Sequence, residues 1–148
     1  MTAPSGDDPI DLRRLYWVGP ATVAAATVVV RVLQASAVGI LNPPDRSLLR
    51  SEEPALFTAV LVALAVIVFA IVGSEASRPM RSYRHIAFVA LVLSCLPDVA
   101  LGFGLIRGEG WTLAVVFILM HIAAWAVTVS MLTRLTRAQL ANYSRAPD

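Results

Sequence analysis

Apolar residues arrive in four long runs, at 18–41, 54–73, 86–106 and 111–132, separated by short polar segments that hold most of the prolines and charges. Each run is long enough to cross the roughly 30 Å hydrocarbon core of a bilayer as a helix. The predicted fold class is therefore all-α, a four-span transmembrane helix bundle. The four-helix membrane domain covers 15–133, with polar tails at 1–14 and 134–148.

The breaks between runs carry recognisable signals. Arg13-Arg14 followed by Tyr16-Trp17 reads as a chain entering a membrane, with Pro20 in the first helical turn. Asn42-Pro43-Pro44-Asp45 ends the first helix. Ser51-Glu52-Glu53-Pro54 reads as the start of the second, with Ser51 as the capping hydroxyl. Ser74 to Arg84 reads as a polar loop. The turn Arg107-Gly108-Glu109-Gly110 is short enough to make the third and fourth runs antiparallel neighbours. The last helix is expected to continue about two turns past Leu132. Ala35-Ser36-Ala37 after the first apolar stretch has the form of a signal-peptide cleavage site, but Arg31 and Gln34 inside the stretch and its length argue against cleavage. In the second run Ala55, Ala59 and Ala63 recur every four residues, a stripe that lets another helix come close.

Composition sharpens the class. Of 148 residues 57% are hydrophobic and 15% charged, against about 25% charged in an ordinary soluble domain. The net charge of +2, with the arginines mostly at run edges, points away from nucleic acid. One cysteine, Cys95, excludes an intrachain disulfide. The two tails and the middle segment hold eight arginines; the other side holds three, Arg46, Arg50 and Arg107. That asymmetry places both termini in the cytoplasm and the protein in the cell's inner membrane.

Three ionisable residues stand inside the runs: Arg31, Asp98 and His121. With about 1.5 Å rise per residue, they lie roughly 15, 12 and 15 Å below the outer edge. Each shares a helix face with other polar or small residues. Thr27, Arg31 and Gln34 form one such face; Ser94, Asp98 and Gly102 a second; His121, Trp125 and Thr128 a third. Pro97 removes an amide next to Asp98 and predicts a kink. Charges at this depth are costly and mark pathways or sites, so the three faces are expected to converge on a polar cluster in the outer half of the bundle. Arg31 can pair with Asp98 there, or extend toward the headgroups. The candidate site is Arg31, Gln34, Ser94, Asp98, His121, Trp125 and Thr128. No metal site is predicted, since His85 and His121 are far apart along the membrane normal. No cofactor is predicted either, though His121 leaves single-histidine haem ligation open with no second signal.

An arginine with a nearby glutamine in the first span (Arg31, Gln34), a serine and proline in the third (Ser94, Pro97) and a Met-His pair in the fourth (Met120, His121) together resemble one bacterial family. It comprises small four-helix membrane proteins known only as a domain of unknown function. The resemblance implies the architecture and a role for His121; Asp98 has no assigned place in the pattern.

Three functions compete. The cluster binds a small ligand, lipid or proton, as in a small transporter or accessory subunit. Alternatively the protein is an intramembrane acid-base enzyme on a lipid or isoprenoid, with Asp98 as proton donor, His121 as base or orienter and Arg31 stabilising negative charge. In the third reading the protein is a structural or partner-binding subunit without a ligand, and the cluster only orders helices; the partners expected are the lipid bilayer and a homo-oligomer or larger membrane complex.

Overall fold

A computed structural model describes residues 10–45, 47–105 and 110–136. The tail before residue 10, the tight turn at 107–109 and the tail after Thr136 lie outside the described residues. Among the described residues the chain forms α1 (Leu15–Leu41), α2 (Glu53–Glu75), α3 (Pro79–Ser94), α4 (Leu96–Gly102) and α5 (Trp111–Leu135). Helices α3 and α4 together make one apolar span, so four helical segments are long and apolar enough to cross a membrane. The protein is a multi-pass, all-α membrane bundle. Its spans alternate in direction, and the amino end of α1 and the carboxyl end of α5 lie at the same end.

Helix ends differ from the expected ones in instructive ways. A 3-10 turn, Leu12–Arg14, precedes α1 and is capped by Asp11, whose carboxylate accepts from the Arg13 amide at 3.1 Å. The helix thus begins before the apolar run, and Pro20 stands beyond its first turn. Asn42 ends α1 in the left-handed region at φ 42°, its amide donating to Val38. Ser51 does not cap α2: its hydroxyl donates back to the Leu48 carbonyl at 2.8 Å, because a 3-10 turn over Leu48–Arg50 claims it first. Most of the expected loop from Ser74 to Arg84 is helical. Helix α2 runs to Glu75 and Pro79 opens α3, where its missing amide costs nothing. The third span stops at Gly102, short of the apolar run's end.

Helix α1 packs along a line of Val18, Thr22, Ala26, Val30 and Gln34, all buried and four residues apart. Its main neighbours are α5 and α2. Thr22 is satisfied there by donating to the Val18 carbonyl at 2.7 Å. Helix α2 buries Ala55, Val62 and Phe69, a seven-residue spacing that keeps one seam facing the bundle. Of the alanine stripe only Ala55 lies on that seam; Ala59 is half-buried and Ala63 exposed.

The core has two separate parts. One, near the α1–α2 and α4–α5 connections, gathers Val30, Leu49, Leu101, Leu113, Phe117 and Met120. The other, near the termini, gathers Val18, Phe69, Met80, Tyr83 and Leu132. Phe69 and Tyr83 meet edge to face with ring centres 4.7 Å apart. Buried side chains of α3 are confined to its first two turns, Met80 and Tyr83. The span is interrupted where Pro97 predicts it: Cys95 breaks the helix two residues before Pro97, which stands in the first turn of α4.

Candidate functional site

Between the two core parts the bundle is not filled. A cleft of about 870 Å³ runs between α2 and α3, backed by α5. Its walls are apolar, with Leu61, Val62 and Ala65 from α2 facing Ala87, Ala90 and Leu91 from α3. Ser94, Pro97 and Asp98 line it on either side of the break at Cys95, and His121, Trp125 and Thr128 line it from α5. Spaced four and three apart, these last three residues share one helix face, as the sequence predicts.

Asp98 is nine-tenths buried. Its Oδ2 stands 3.0 Å from Nδ1 of His121. The same nitrogen is 2.9 Å from the Phe117 carbonyl, which can only accept, so Nδ1 carries the hydrogen and donates it there. Oδ2 faces the same N–H at ion-pair distance but outside good hydrogen-bond geometry. With Nδ1 committed, Nε2 is the ring nitrogen available to an incoming group. The imidazole is about a third exposed on the cleft. Two further buried polar atoms around the cleft lack partners, the Trp125 indole Nε1 and the Tyr83 hydroxyl. Buried polar atoms left this way are costly and rare in folded proteins. Ser94 and Thr128, by contrast, donate within their own helices, to Leu91 at 2.8 Å and Ala124 at 2.7 Å.

Arg31 does not join this group, which corrects the expected convergence of three faces. Its guanidinium extends toward the start of α2 and pairs with Glu52, and Nη1 donates to Gln34 Oε1 at 3.3 Å. Gln34 in turn donates from Nε2 to the carbonyls of Leu49 and Ser51, at 2.8 and 2.7 Å. Both residues thus tie α1 to the α1–α2 connection, and Leu49 is held fully buried beneath them. Two polar groups replace the single cluster: Asp98, His121 and Trp125 on the cleft, and Arg31, Gln34 and Glu52 at the end of the bundle.

Two participants were missed by sequence reasoning. Glu52 was read only as a helix-start residue, although an arginine extending outward from α1 needs an anion at that end. Tyr83 fell in a segment taken for loop; its spacing from Met80 and Ala87, three and four residues, was the signal of a helix face already facing inward. Among the described residues no three of the histidine, cysteine and acidic side chains come together to hold a metal ion. No protein-family model, curated protein or solved structure matches the chain.

Proposed function

We propose that this membrane protein binds an amphiphilic small molecule in the cleft between α2 and α3, its chain along the apolar walls and its polar group at His121 and Asp98. The observation carrying this reading is the buried Asp98–His121 pair, 3.0 Å apart, lining an otherwise apolar cleft of about 870 Å³. That volume falls within the usual range for small-molecule pockets. Exposed apolar residues on α2 and α3 flank the cleft, so a ligand reaches it from the bilayer without crossing a polar surface. The arginine asymmetry supports both termini in the cytoplasm and an inner-membrane location.

Native mass spectrometry of gently solubilised protein tests the proposal. The wild type is expected to carry a bound small molecule or lipid that Asp98→Asn loses. Identical, bare spectra for the two would overturn it.

One observation favours a second reading, an acid-base enzyme acting on a lipid. A carboxylate beside Nδ1 and a free Nε2 is the arrangement in which a histidine accepts a proton from a substrate. In that reading His121→Ala abolishes a lipid product while the bound molecule is retained; an unchanged lipid profile counts against it.

A further inference from the structure

The cleft also has a charge character. Among the described residues lining it are two carboxylates, Asp98 in its depth and Glu53 at the start of α2, with His121 between the walls and no arginine. The chain has no lysine. Arg31, the arginine within the first apolar run, is held away by Glu52 and Gln34. Four aromatic rings contribute to the lining: Phe57, Tyr83, Phe117 and Trp125.

We infer that the occupant is an amphiphilic organic cation, an alkyl or aryl chain bearing an ammonium-type head. The inference rests on the proposed cleft binding. An anionic head, such as a phosphate or carboxylate, would meet Asp98 and Glu53 with only His121 to offset them. A neutral head would leave the Asp98 carboxylate to His121 alone. The two lining carboxylates outnumber the one basic side chain, so a cation is the head that adds counter-charge in a site of low dielectric, and aromatic faces attract it in addition. Weakly hydrated, chain-bearing cations lose least on leaving water, and they partition into the bilayer from which the cleft opens.

Three probes with one twelve-carbon chain separate the headgroups: dodecyltrimethylammonium, dodecanol and dodecanoate. Each is titrated against the full-length protein in nanodiscs of zwitterionic lipid, with empty nanodiscs subtracted. The ammonium is expected to bind the wild type at least roughly tenfold more tightly than either other probe. Asp98→Asn is expected to erase that preference. Ala90→Trp, which fills the cleft from an exposed position on α3, is expected to remove binding of every probe. If dodecanol or dodecanoate binds as well as the ammonium and Ala90→Trp still blocks it, the cation inference falls and the cleft reading stands. If no probe binds, or Ala90→Trp changes nothing, both fall. An ammonium preference that survives in folded Asp98→Asn overturns the assignment to this carboxylate. The headgroup comparison in the wild type requires no variant, so misfolding of Asp98→Asn leaves the test intact.

Discussion

The side-chain amide of Gln34 reaches from α1 to the carbonyl of Leu49, 2.8 Å away, and holds a connecting segment inside the bundle. The second amide hydrogen goes to Ser51. Gln34→Leu keeps the volume and removes both donors, leaving a buried carbonyl without a partner. A loss of about 1–3 kcal/mol is expected, read as a lower melting temperature in detergent. Leu49 should become accessible in the same variant, seen as faster modification of a cysteine placed there.

The Arg31–Glu52 pair beside it predicts a much smaller effect. Both side chains are substantially exposed, at 42% and 78%. Glu52→Gln should cost under about 1 kcal/mol, and added salt should shrink the difference. A larger cost in thermal unfolding would show that the pair is shielded by the bilayer.

Asp98 and His121 behave as a unit. Removing one leaves the other buried without its counterpart, whereas leucine at both positions fills the space with apolar volume. Asp98→Leu and His121→Leu together should cost less than the sum of the single changes, with a coupling of about 0.5–3 kcal/mol in a double-mutant cycle. Additive costs would mean that the two side chains do not interact.

Tyr83 buries a hydroxyl that has no hydrogen-bond partner, on a ring packed against Phe69. Tyr83→Phe keeps the ring contact and removes the unsatisfied group. It should raise stability by about 1 kcal/mol when the cleft is empty. A loss of stability would indicate that the hydroxyl is engaged by a molecule in the cleft.

Gly102 lies where a side chain cannot fit. A methyl group there would come within 2.7 Å of the Trp111 ring. That ring also stacks edge to face on Phe103, with centres 5.0 Å apart. Gly102→Ala should cost about 1–3 kcal/mol and shift the Trp111 fluorescence as the indole is displaced.

The four spans were legible because membrane insertion depends on length and apolarity, which are local properties. The break before Pro97 was legible for the same reason, since a proline acts on its own helix. The shared face of His121, Trp125 and Thr128 also follows from helical spacing alone. The fate of Arg31 was not legible. Rise per residue gives the depth of its Cα, but the long side chain can end several ångströms away, and its direction depends on how α1 is rotated in the bundle. The cleft was beyond reach for a related reason. It exists because the buried contacts of α3 stop after two turns, and a uniformly apolar helix such as α2 gives no sequence signal of which face is left bare.

The joining of α2 to α3 has a mechanical consequence. The two are linked by only Ala76–Arg78 and pinned close to that link by Phe69 and Tyr83. At its other end α2 is held to α1 by the Arg31–Glu52 pair and by buried Ala55, while α3 runs on through Cys95 into α4, which packs on α5. Two rods fastened at both ends and bare between behave as a bow, so any widening of the cleft comes from bending of α3 between its fastenings, with both core clusters kept.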